Sequence, residues 1–172
     1  MSHDSYHALI KEPQGDAPLV FAFHGTGGDE NQFFGLAQQL LPDAGVVSPR
    51  GDVSEMGAAR FFRRTGEGVY DMADLARATA KMASFVDGIK AQHPGRPVYG
   101  FGYSNGANIL ASVMIARPDL FDRVGLLHPL IPWTPDPAPG PRSELTAEVG
   151  SSPTELKVVS GLTCRGFSPA TE

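Results

Sequence analysis

Cysteine is nearly absent from this chain. Cys164 is the only one in 172 residues, which excludes an internal disulfide and any metal cage built from several thiolates. Long apolar runs are missing as well. The hydrophobic stretches are too short to span a bilayer, and Met1-Ser2-His3-Asp4 has no charged-then-apolar leader pattern. A cytoplasmic protein without stable membrane insertion is the expectation. An excess of positive charge is lacking too: 14 Lys and Arg face 19 Asp and Glu, for a net charge of −5. Neither a nucleic-acid groove nor an anionic membrane surface is therefore the expected partner. No internal repeat is visible. What is present is an ordinary globular composition, 41% hydrophobic, enough for one domain with a buried core.

Taken in order, the apolar segments alternate between strand and helix. Residues 6–11 read as an edge strand, closed by Glu12-Pro13-Gln14-Gly15-Asp16. Leu19–Phe23 is a continuous apolar run, the pattern of a strand covered on both faces. A helix is expected over about 31–41, with Phe33, Phe34, Leu36, Ala37, Leu40 and Leu41 on its apolar face. The short strand Val46-Val47-Ser48 follows. Residues 71–92 carry Leu75, Ala78, Met82, Phe85, Val86 and Ile89 at helical spacing, closed by His93-Pro94-Gly95. Arg123–Leu127 is another buried strand. Residues 53–70 show no clean period. Their Arg60-Phe61-Phe62-Arg63-Arg64 fits a loop across the mouth of a site and a solvated basic patch equally well.

This alternation predicts an α/β fold with a mainly parallel sheet and helices on both faces, and a ligand site at the carboxyl ends of the strands. That end gathers His24, Thr26, Gly51, Ser104 and His128. After Pro132 the composition turns rich in proline and then in Ser, Thr and Gly. Residues 1–135 are expected to form the core. Residues 136–172 are expected to form a poorly ordered tail with one strand-like run, Leu156-Lys157-Val158-Val159.

The chain is organised around residues 96–117. Pro97-Val98-Tyr99-Gly100-Phe101 has strand character, Gly102-Tyr103-Ser104-Asn105-Gly106 follows at once, and a nearly all-apolar helix runs on to Pro118. A G-x-S-x-G between strand and helix is the nucleophile-elbow pattern. Gly102 and Gly106 keep strand and helix from colliding, and the Ser104 hydroxyl is left beside the first amides of the helix, which favour negative charge. The bare pattern also fits a glycine-rich turn with an idle serine; the flanking strand and helix weigh against that. His24-Gly25-Thr26-Gly27-Gly28 supplies a matching piece. Acyl transfer puts negative charge on a carbonyl oxygen, toward which two fixed backbone amides must already point. Gly25 and Gly27 let the chain turn at Thr26, and the Asn105 N–H supplies the other donor. The competing reading, a phosphate-cradling turn, lacks the P-loop lysine and the G-x-G-x-x-G spacing.

With Ser48-Pro49-Arg50-Gly51, the 60–64 run and His128-Pro129-Leu130-Ile131-Pro132 added, these motifs resemble the bacterial phospholipase/carboxylesterase family of the α/β-hydrolase superfamily, relatives of acyl-protein thioesterases. The resemblance covers about residues 6–135. It implies an α/β-hydrolase fold, incomplete at the C-terminus, with Ser104 as nucleophile and the Thr26 and Asn105 amides as oxyanion hole. It also implies a small ester or thioester substrate and no cofactor or metal.

The resemblance also implies a triad aspartate and then a histidine after the last matched strand. Here Leu162-Thr163-Cys164-Arg165 brings no carboxylate, and no histidine follows His128. A truncated gene, a shifted reading frame or an alternative end would each give such a body with an unrelated tail. His24 reads as a residue fixing the oxyanion loop rather than as a base. His128 lies at the right end of its strand but outside the implied triad, and Asp136 is an acid without its histidine. The expectation is a serine hydrolase acting through an acyl-serine intermediate and impaired by the missing Asp and His. The alternative is a non-catalytic relative binding a small acyl or ester ligand. Without further strands, Arg123–Leu127 is expected to be an exposed sheet edge through which the chain self-associates.

Overall fold

The computed structural model describes residues 6–131 and, by backbone alone, two short strands further on. In chain order the elements are β1 (Ala8–Lys11), β2 (Leu19–Phe23), α1 (Phe34–Leu40), β3 (Gly45–Pro49), β4 (Val53–Glu55), β5 (Ala58–Arg60), β6 (Arg64–Gly66) and β7 (Val69–Tyr70). Then come α2 (Met72–Gln92), β8 (Val98–Tyr103), α3 (Asn105–Ala116), β9 (Arg123–Leu127), β10 (Glu144–Leu145) and β11 (Leu162–Thr163). The last two pair antiparallel with each other. The Leu156–Val159 run and the expected order of the tail otherwise lie outside the described residues.

Continuous apolar runs make the centre of the sheet. Its order is β1-β3-β2-β8-β9, with β3, β2, β8 and β9 parallel and β1 antiparallel on one edge. Successive side chains of a strand face opposite ways, and here each face has its own cluster. Phe21, Phe23, Val47 and Val98 join Leu75, Met82 and Val86 of α2 and Ile109, Leu110 and Val113 of α3. Val20 and Val46 join Ala37 and Ala44, with Phe34, Tyr99 and Phe101 packed against them. Helices therefore cover both faces. The longest of them, α2, starts cleanly because the Asp71 side chain accepts the Asp74 N–H at 3.0 Å.

Two expectations need correction. The apolar face foreseen over 31–41 is mostly not buried: α1 begins at Phe34, Ala37 is its one buried residue, and Leu36, Leu40 and Leu41 are exposed. Seven residues make two turns, too little surface to set the whole stripe on the sheet. Residues 53–70 form two small hairpins, β4–β5 and β6–β7, rather than a loop. Nor is the 60–64 run a solvated basic patch: Arg60 is 3% exposed, Phe61 and Phe62 are wholly buried, and only its end is basic surface.

Candidate active site

All four parallel strands end on a residue the sequence singles out or on its neighbour. His24 follows β2, Arg50-Gly51 follows β3, Ser104 follows β8 and His128 follows β9. Ser104 has φ 52° and ψ −116°, a conformation that costs a non-glycine residue about 1–3 kcal/mol. Its N–H donates to Leu127 O at 2.9 Å, so the strained turn is held by the end of β9. Close approach explains the flanking glycines. A Cβ at Gly102 would strike the Gly106 carbonyl, and one at Gly106 would strike the carbonyls of Phe23 and His24. The start of α3 is thus pressed directly against the end of β2.

The loop after β2 can be accounted for amide by amide, since a buried N–H without an acceptor is costly. Gly25 N–H donates to Gln32 Oε1 at 3.0 Å, Gly27 N–H to Ala59 O at 3.1 Å, and Gly28 N–H to Gly25 O at 3.0 Å. Among the described residues the Thr26 N–H meets no acceptor. At the neighbouring turn Asn105, Gly106 and Ala107 begin a helix, so their N–H groups have no intrahelical acceptor; Asn108 is the first to bond back, to Ser104 O at 3.0 Å. Gly25 lies against the Tyr103 ring, which keeps the two sets of free amides in adjoining loops.

His24 is 1% exposed and both ring nitrogens are engaged. Nδ1 donates to Gly25 O at 2.7 Å and Nε2 accepts the Gly51 N–H at 2.9 Å. Burial holds its pKa below the ordinary histidine value, against the opposing pull of the Gly25 carbonyl. This imidazole is neutral and ties the loop after β2 to the loop after β3. His128 is exposed, at φ 49°, with its ring edge-on to Tyr103 at 5.7 Å. His7 sits 3.1 Å from Glu30 and His93 3.6 Å from Glu12, the latter at the amino end of β8. Among the described residues no imidazole or carboxylate hydrogen-bonds the Ser104 hydroxyl. None of them forms a metal-holding group of three or more His, Cys, Asp or Glu either. Asp136 lies outside the described residues.

Sequence reasoning missed two side chains here. Asn105 Oδ1 accepts the Phe61 N–H at 2.8 Å, and Asn108 Oδ1 accepts the Leu130 N–H at 2.7 Å while its Nδ2 donates to Tyr70 Oη at 2.7 Å. Both are buried in an otherwise apolar helix. Two asparagines within Asn105–Ile109, where packing alone would favour aliphatics, were the available signal. A separate groove of about 520 Å³ between α2 and α3, lined by Met72, Thr79, Ser112 and Arg117 among others, holds no predicted site residue.

Known proteins share this fold. A computed match to the crystal structure of a Bacillus cereus carboxylesterase has 34% identity and a TM-score of 0.70, covering 74% of this chain and 62% of that one. The fold is that of the α/β-hydrolases. A second match is the crystal structure of Atu2452 of Agrobacterium tumefaciens str. C58, a protein of unknown function. It is 58% identical with a TM-score of 0.74, over 78% of this chain and 66% of that one. The curated protein “Putative hydrolase MhqD” of Bacillus subtilis (strain 168) is 40% identical over 117 residues. The chain spans 58% of that relative's length. No protein-family model matches the chain. No helix among the described residues is long and apolar enough to cross a membrane.

Proposed function

We propose that this α/β-hydrolase chain is a serine hydrolase of the phospholipase/carboxylesterase type, acting on small carboxylic esters or thioesters. Ser104 Oγ attacks the carbonyl carbon, the carbonyl oxygen takes up the negative charge, and the alcohol or thiol leaves with a proton. Water then cleaves the acyl-serine to release the acid. The observation that carries this reading is the pair of unmatched amides, Thr26 N–H and Asn105 N–H, in loops packed around a serine at φ 52°. Such donors act where charge develops. The relatives named as a carboxylesterase and a hydrolase support it.

The same reading includes a low rate. A serine hydroxyl is a weak nucleophile until a base takes its proton, and none of the described histidines bonds to it. Amides and binding alone leave about 10³–10⁴-fold over water. A fluorophosphonate should therefore label Ser104 slowly, and Ser104→Ala should abolish labelling. Turnover of short p-nitrophenyl esters by residues 1–172 should stay far below an ordinary enzyme's roughly 10 s⁻¹. Label retained in Ser104→Ala, or hydrolysis within tenfold of the parent, sinks the assignment. A folded chain that binds acyl esters without ever labelling would support the non-catalytic reading instead. Turnover near 10 s⁻¹ would reveal a base, and His128→Ala would be the first variant to make.

A further inference from the structure

We infer that the segment Ala59-Arg60-Phe61 is a clamp that sets the spacing of the two oxyanion amides, with the buried Arg60 guanidinium as its principal positioning group; this rests on the serine-hydrolase reading above. The segment grips each donor loop separately. Toward the first, Arg60 Nη1 donates to Thr26 Oγ1 at 2.6 Å, and Ala59 O accepts the Gly27 N–H at 3.1 Å. Immediately before these two contacts comes the Thr26 N–H, the amide left without an acceptor among the described residues of the loop. Toward the second, Phe61 N–H donates to Asn105 Oδ1 at 2.8 Å. One short stretch of backbone thus holds the residue carrying each proposed donor.

Arg60 is an expensive way to do this by packing alone, because a desolvated guanidinium must recover its hydration from fixed partners. It does so on three sides. Nε donates to Phe62 O at 3.1 Å and lies 3.2 Å from Glu55 Oε2, while Nη1 reaches Thr26. Gly51 lies directly against the Arg60 carbonyl, so the segment is backed from behind. The result fixes Thr26 at its side chain and leaves its amide free. The guanidinium also brings a positive charge next to the loop where an anion forms, which favours the charged state over the neutral ester.

Arg60→Met keeps the apolar length and removes both the donors and the charge; Arg60→Lys keeps the charge and one donor. Displacing an oxyanion donor without deleting it should slow the chemical step about tenfold or more, less than the 10²–10³ of outright removal. The test is the second-order rate of fluorophosphonate labelling at Ser104 in the 172-residue chain, with ester KM and thermal unfolding measured alongside. Labelling at least tenfold slower in Arg60→Met, KM within about threefold, and partial recovery in Arg60→Lys are expected. Labelling at the parent rate in folded Arg60→Met overturns the clamp while leaving the hydrolase reading intact. A parent chain that does not label at all overturns both. If Arg60→Met does not fold, Thr26→Val decides the matter. It removes the hydroxyl acceptor, preserves shape and the backbone amide, and must also slow labelling; an unchanged rate there overturns the inference.

Discussion

His24 shows what a single side chain does here and how its titration reads out. Its neutral imidazole joins the Gly25 carbonyl to the Gly51 N–H inside the protein, and burial lowers its pKa. The unfolded chain takes up this proton below about pH 6.5, whereas the folded chain resists it. The histidine's contribution is therefore intact above that pH, falls as pH drops toward the lower folded value, and then levels off. Urea midpoints of the parent should decline between about pH 7.5 and 5.5. In His24→Gln that decline should be shallower, from a starting stability lower by about 1–3 kcal/mol for the lost buried bonds. Parallel pH curves for the two proteins would show that His24 does not titrate as described. Asp74, whose carboxylate is pushed up by burial but held lower overall by Arg77 and the Arg63 N–H, weakens the fold only in the more acid range. Of these residues the sequence disclosed His24, Thr26 and Ser104 through the spacing of their glycines. Arg60 was opaque, because its burial depends on Glu55, Thr26 and Phe62 acting together, and no pattern in five consecutive residues encodes that.

At the level of the element, α1 and the two hairpins show where periodicity fails. Helical spacing marks Leu40 as strongly as it marks Ala37, yet Leu40 is 59% exposed. Spacing reports an amphipathic stripe, not how much of the stripe meets a partner. Strands of two or three residues are too short to show any alternation, so residues 53–70 looked irregular. By contrast, the long runs of β2, α2, β8 and α3 were readable because each is bounded by turn residues and buried along much of its length. The difference predicts opposite outcomes for two truncations. Phe61→Ala, made in the core beneath β5, should cost about 3–5 kcal/mol. Leu40→Ala should stay within about 0.5 kcal/mol of the parent. Denaturant unfolding decides it, and a Leu40→Ala loss comparable with that of Phe61→Ala would mean α1 is packed more tightly than described.

For the molecule as a whole, the alternation of strand and helix was enough to foresee a parallel sheet but not its order. The order depends on which strand each crossover returns to, a choice no local pattern records. The observed β1-β3-β2-β8-β9 arrangement leaves β9 on one edge, with Leu126 and Leu127 only half buried. Among the described residues no strand pairs with the outer side of β9, and an edge of this kind invites another strand. The chain should therefore show a mass that rises with concentration in sedimentation and bind a hydrophobic dye. A monomer at every dilution, melting cooperatively above about 60 °C, would argue against an exposed edge.

The parallel pairing of β2 with β8 sets Leu19 opposite Val98, and Phe23 opposite Gly102, across a connection that includes the exposed Pro94-Gly95 turn. Thr26 comes before that turn and Ser104 after it. A polypeptide severed there would yield one piece with the proposed anion-binding loop and its clamp, and another with the proposed nucleophile. Neither piece alone contains the complete arrangement. Labelling at Ser104 would then report that the two had found each other, turning the sheet's central seam into a logical AND gate.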